Sequence, residues 1–236
     1  MSGALTREAQ SVLLRNGHEV VVSDLHAMAF DPVSDRRNFL SIKDSTRLKQ
    51  QVEEEYASSQ NSFSPDLQAE MDKLVWCDAL IFQFPLWWLG MPAILKGWVD
   101  RVFAIGRAYG GGRYFERGVF AGKRAMCSVT IGGPAQAYSE IGVYGPLSRT
   151  LYPIHHGILG FVGFSVVEPF VVHAPARMSD EQRQEVIQQY GDRLLSLRSL
   201  PILPGPQIER FDGLVLRTDA QPTLQADGPA SGGPTA

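Results

Sequence analysis

Two adjacent tryptophans, Trp87 and Trp88, stand between an apolar run and a helix-forming stretch, and a glycine pair, Gly132 and Gly133, closes a second apolar run. These residue types can receive a flat ligand. Tryptophan rings offer broad apolar walls to a planar ring. A Gly-Gly turn lets backbone N–H groups come close to such a ring because no Cβ stands in the way. Each feature also has a plainer use. Trp87 and Trp88 suit a core or a dimer interface equally well, and a Gly-Gly pair after a strand is most often only a turn. The pattern becomes specific when both lie at the ends of neighbouring strands.

The elements around them predict that placement. Residues 79–84 read as a strand buried on both faces, broken by Pro85. A helix follows with Pro92 in its first turn, where a missing N–H costs nothing. Ile94, Leu95, Trp98, Val99 and Val102 form its apolar stripe, with Lys96, Asp100 and Arg101 away from it. Residues 123–130 form the next buried strand, which runs into Thr130-Ile131-Gly132-Gly133-Pro134 and then Tyr138. In open α/β sheets, ligands sit outside the carboxyl ends of the strands.

The remaining chain fits one α/β domain with an arm and a tail. A helix is expected over residues 4–15, a strand over 19–23, and a solvated helix or excursion over 49–60. Ser64 caps a helix that buries Leu67, Met71, Leu74 and Val75. A helix over 142–151 precedes an irregular patch at Pro153, and a last strand spans 165–172. Ser179-Asp180-Glu181-Gln182 is a capping box that opens a helix reaching about residue 197. The expected organisation is a domain over 1–198, an arm over 199–217 and a disordered tail over 218–236.

Composition narrows the function. The 236 residues carry a net charge of -3, which gives no footprint for nucleic acid. The apolar runs are too short to span a bilayer, and the expected location is the cytoplasm. Cys77 and Cys127 are too few for a disulfide framework, and no cluster of metal ligands or Ser/His/Asp triad stands out. Adjacent His155 and His156 point different ways on any regular element, which argues against a shared metal.

The run Phe84-Pro85-Leu86-Trp87-Trp88-Leu89-Gly90-Met91-Pro92-Ala93-Ile94-Leu95-Lys96-Gly97-Trp98 resembles the flavin-ring loop of the NAD(P)H:quinone oxidoreductases of the DT-diaphorase type. The resemblance covers about residues 4–203. It implies a flavodoxin-like fold, a parallel sheet with helices on both faces. It also implies FAD as cofactor, with FMN as the other candidate, NAD(P)H as hydride donor, a quinone as acceptor, and a homodimer. Pro85, Leu86, Trp87, Trp88 and Leu89 would border the flavin ring, and Thr130, Ile131, Gly132 and Gly133 would contact its polar edge. Tyr138 would hydrogen-bond near the region that gains negative charge on reduction. Tyr144 falls where the family often has a histidine relay, so its proton chemistry should differ. Arg183 would reach the adenosine or pyrophosphate end, with Ile187 packed nearby. Trp88 and Tyr109 would meet substrate, and Phe161 would line the site from the partner subunit. Gly111 replaces a second family tyrosine, which widens that side.

One piece does not match. A domain of this kind places a strand and a phosphate-cradling turn ahead of its first helix. Here only Met1-Ser2-Gly3 precede the helix, with Ser2 where the family usually ends this turn in asparagine. Either the start is assigned too late, the favoured expectation, or the sheet lacks a middle strand. The resulting functional expectation is a two-electron, ping-pong NAD(P)H:quinone reductase. The alternatives are a flavin reductase of nitro or azo acceptors, and a flavodoxin-like scaffold that no longer holds cofactor.

Overall fold

The computed structural model describes residues 1–220. Its centre is a parallel sheet. Strand β1 (Ala79–Pro85) pairs along its whole length with β2 (Arg124–Ile131), from Ala79↔Arg124 to Pro85↔Thr130. The far edge of β2 carries two short parallel strands, β3 (Ser165–Val166) and β4 (Phe170–His173). The expected single strand over 165–172 is therefore interrupted. Pro169 lies in the break, and proline cannot donate to the ladder.

Helices cover both faces, as a doubly wound sheet requires. Helices α1 (Ser2–Arg15) and α6 (Asp180–Leu195) pack on one face, where Leu5, Val12, Tyr190 and Leu194 meet Met126 and Val172. Helices α3 (Pro65–Trp76), α4 (Ala93–Val102) and α5 (Leu147–Ile154) cover the other. There Leu67, Met71, Trp98, Val102 and Leu151 meet Phe82, Phe84, Cys127 and Val129. Strand β2 is buried from Ala125 to Ile131. Burial pushes the Cys127 thiol up, and it packs there as a small hydrophobe.

Several local expectations change. Residues 19–23 form no strand: they belong to no ladder, and Val21 and Val22 are exposed. A strand needs a partner. In the 2-1-3-4-5 order of this fold the partner would be a strand lying against the outer edge of β1. Among the described residues none pairs there. For the same reason β1 is only partly covered, with Phe82 and Phe84 buried and Ala79 exposed. The amide atoms of Gln83 are shielded from water without a partner.

Helix α2 (Gln50–Gln60) is not simply solvated. Glu53 is buried and accepts from the Lys43 and Asp44 N–H groups at 2.7 and 2.8 Å. Glu54 accepts from the Ile105 N–H at 2.9 Å, and burial raises its pKa. Ser64 holds the N-cap position of α3 without a side-chain cap bond, and Val75 is exposed because the helix ends one residue later. Arg101 is buried, not away from the core. It donates to Asn38 at 2.8 Å and to the Asp31 carbonyl at 2.6 Å.

Helix α5 starts at Leu147, after a turn through Gly145 (φ +68°) and Pro146. The residues before it stay out of helix because Gly145 is left-handed and Pro146 has no N–H to donate, and Gly142 packs so closely on the Gln136 and Ala137 carbonyls that a Cβ would stand 2.4 Å from them. Pro153 lies inside α5, and the chain continues as a π-helix over His155–Gly160. A proline leaves the helical ladder one donor short, and a π-bulge is a common local response.

The chain divides into two compact units at Gly205. In the second, a hairpin of β5 (Phe211–Asp212) and β6 (Val215–Leu216) is the regular element. The tail expected to be disordered lies, from residue 221 on, outside the described residues.

Candidate functional site

The two candidate loops meet. Pro85 pairs with Thr130 at the carboxyl ends of β1 and β2, and the Leu86 N–H donates to the Thr130 carbonyl at 2.9 Å. The ring-facing candidates Pro85–Leu89 and Thr130–Gly133 therefore leave the sheet side by side. The N-terminus of α1 arrives at the same edge, where Ser2 Oγ lies 3.4 Å from Thr130 Oγ1. Unpaired N–H groups at a helix N-terminus favour an anion there.

Beyond Leu86 the chain reverses through Trp87-Trp88-Leu89-Gly90, closed by mutual backbone hydrogen bonds of Trp87 and Gly90 at 2.9 and 3.0 Å. Trp88 (φ 50°) and Leu89 (φ 56°) both occupy the left-handed region. That is the geometry of a type I′ turn, normally filled by Asn-Gly. A bulky side chain there costs about 1 kcal/mol or more. Trp88 is also fully exposed, with Trp87 and Leu89 largely so. Neither tryptophan belongs to the core. Backbone strain and exposed aromatic surface of this kind cluster at ligand sites.

The opposite wall is the glycine turn. A Cβ on Gly132 would meet open space, and one on Gly133 would come within 3.3 Å of Tyr138. Tyr138 lies over this turn with Tyr144 beside it, ring centroids 5.0 Å apart. A tyrosine hydroxyl is protonated at neutral pH and can donate, and desolvation, then the neighbouring Tyr144, pushes the pKa of Tyr138 further up. On the other side stands His173, with its ring 5.9 Å from Tyr138 and its Nδ1 3.3 Å from the Gly133 carbonyl. The sequence reading missed His173. The signal was available: a histidine ends the apolar run Phe170-Val171-Val172 and so falls at a strand's carboxyl end.

The other candidates lie apart. Tyr109 and Phe161 pack together, centroids 5.8 Å apart, and Tyr109 receives a hydrogen bond from Gln51 at 3.3 Å. With Phe103, Lys96 and Ile158 they line a cavity of about 510 Å³ to which Trp88, Gly132 and Tyr138 do not contribute. Arg183 pairs with Asp180 at 2.8 Å in the first turns of α6, and Ile187 packs into the core between α1 and α6.

The arrangement fits a flavin on its own evidence: an exposed aromatic turn, an unobstructed glycine wall, a protonated phenol, and a helix N-terminus for phosphate. No group of three or more potential metal ligands occurs among the described residues. No helix among them is long and apolar enough to cross a membrane.

Comparison with known proteins agrees. The family model described as the flavodoxin-like fold matches residues 1–196, and the chain belongs to that fold family. Within it, the chain is a member of the NAD(P)H:quinone oxidoreductase family of the DT-diaphorase type. It is 41% identical over 192 residues to NAD(P)H dehydrogenase [quinone] 1 of Rattus norvegicus, covering 81% of this chain and 70% of that one. A ribosyldihydronicotinamide dehydrogenase-like protein of Penicillium crustosum is 41% identical over 198 residues, 80% of this chain and 74% of that one. A crystal structure from Klebsiella pneumoniae, of a protein assigned as a quinone reductase, superposes with a TM-score of 0.87 at 36% identity, covering 98% of this chain and 92% of that one.

Proposed function

We propose that this enzyme is a flavin-dependent quinone reductase working by a ping-pong cycle. NAD(P)H gives a hydride and leaves, and a quinone then enters the same face and takes the two electrons. The observation that carries the reading is the strained, exposed Trp88 turn set beside the open Gly132–Gly133 wall. A bound FAD or FMN would supply the hydride-carrying ring, with FAD the expected cofactor.

The chain's own residues do the rest. Pro85, Leu86, Trp87, Trp88 and Leu89 border the ring and shield one side from water. Thr130, Ile131, Gly132 and Gly133 present backbone donors to its polar edge. Tyr138 donates its O–H where negative charge develops, which stabilises that charge without reorganisation. Tyr144 steadies Tyr138 through ring contact. As a phenol it does not become a cation as an imidazole can. Arg183 and Ile187 serve the far end of the cofactor.

Tyr109 and Phe161 support a homodimer. They form a compact aromatic patch on a cavity of their own, as expected if they complete a partner's site with Trp88 receiving the acceptor between them. Sedimentation of a monomer with full activity would refute this. We further propose cytoplasmic residence, testable by cell fractionation.

The deciding experiment is the visible spectrum of the purified chain supplied with FAD or FMN. Flavin bands that bleach with anaerobic NAD(P)H and return with quinone establish the cycle. Dihydronicotinamide riboside, nitroaromatic and azo compounds in the same assay test the choice of donor and acceptor. A second reading, a scaffold without cofactor, rests on the outer edge of β1, which no strand among the described residues pairs. A chain that stays colourless with either flavin selects it.

A further inference from the structure

We propose that His173 is a positioning residue of the flavin site, an inference that rests on the flavin reading above. His173 is the last residue of β4 and lies opposite Ile131 of β2, one residue before the glycine turn. Its Nδ1 stands 3.3 Å from the Gly133 carbonyl. A carbonyl only accepts, so Nδ1 carries the proton and, in the neutral ring, Nε2 keeps its lone pair. Gly133 precedes Pro134, so the peptide link between them has an acceptor and no N–H donor.

This fixes what His173 does. Glycine gives the turn wide conformational freedom, and a Cβ built on Gly132 would meet nothing within 4 Å. If the Gly133 carbonyl rotated toward the ring side, it would face the carbonyl oxygens on the flavin's polar edge and repel them. The imidazole holds that carbonyl toward β4. The same ring lies 5.9 Å from Tyr138, whose other neighbour is Tyr144 at 5.0 Å. His173 thus steadies two pieces of the polar wall, the glycine turn and the donor phenol.

The test uses the full chain, His173→Val and His173→Gln. Valine removes the donor and keeps a strand former, whereas glutamine restores a side-chain N–H. His173→Val is expected to weaken flavin binding about tenfold, the worth of one hydrogen bond near the upper end of its usual range. It should also shift the bound flavin's visible band and reduction potential, with His173→Gln bringing both back toward wild type. A merely structural role would lower the melting temperature and leave band and potential alone. Nitrogen-detected NMR of the apo chain reads the tautomer independently, and an Nε2–H imidazole overturns the proposal. So does wild-type affinity with an unmoved band in His173→Val. Failure of the wild-type chain to take up either flavin overturns the flavin reading itself, and this inference with it, before any variant is compared.

Discussion

Strand β2 and the segment over residues 18–24 are both rich in β-branched and apolar residues, yet only one is a strand. β2 is paired on both edges, lies between α1 and α6 on one face and α3 and α4 on the other, and is buried throughout its middle. Residues 18–24 have no ladder partner, and Val21 and Val22 lie in solvent. The difference is not propensity but neighbours. A β-branched run becomes a strand when another backbone satisfies its amides and another face covers its side chains. Among the described residues, β2 is thus paired on both edges while β1 is paired only with β2.

Matched substitutions give the largest contrast. Val129→Asp would bury an unpaired charge in β2 and should cost about 4 kcal/mol or more, while Val21→Asp should stay within about 0.5 kcal/mol. Urea denaturation midpoints measure both, and equal losses would break the comparison. Next is a tie between residues 18–24 and α3. Buried Glu70 of α3 accepts from Ser23 Oγ at 2.7 Å and Trp98 Nε1 at 2.9 Å, and pairs with Lys73. Glu70→Ala strands these donors and should cost about 2–3 kcal/mol. Proteolysis near residue 24 should also quicken, and an unchanged cleavage rate would mean that Glu70 does not hold the segment.

Acid distinguishes the two sides further. Burial lowers the pKa of His155, in the π-helix, from 6.5 to about 4. The neutral ring is therefore favoured in the folded state. Its contribution is complete above the unfolded value of 6.5 and is lost as pH falls toward 4, by about 3 kcal/mol. In His155→Leu the melting temperature should fall less between pH 6.5 and 4 than in wild type. The smallest effect sits on the exposed face of α4, where Lys96 and Asp100 pair at 2.6 Å. A double-mutant cycle should return about 0.3–0.5 kcal/mol, screened by salt.

Much of this was legible in the sequence. The Pro85–Trp98 run marked a strand, loop and helix, and its neighbour ending in Gly132–Gly133 marked the opposite wall, because both follow from local apolar runs and breakers. The long-range conditions were not legible. Residues 19–23 carry a strand's pattern, and only the sheet order shows that no described strand takes the partner position beside β1. Arg101 looked solvent-facing because helical periodicity cannot foresee Asn38 and Asp31 closing over it. His173 was passed over because a lone histidine acquires meaning only when Gly133 and Tyr138 are brought beside it. The Gly142–Pro146 turn was misread as helix although the Gly145-Pro146 dipeptide itself signals a break, with Gly145 left-handed.

The Trp88 turn has an optical consequence. Of the four tryptophans, Trp98 is enclosed in the core, Trp76 and Trp87 are partly exposed, and Trp88 alone is bare to water. An indole in water emits at longer wavelength than one in a core, and a flat chromophore laid against it quenches that emission. Trp88, beside the candidate site, is therefore the most solvent-exposed contributor to the long-wavelength edge of this protein's fluorescence, with Trp76 and Trp87 adding to it. The chain carries its own occupancy gauge, readable without label or substrate.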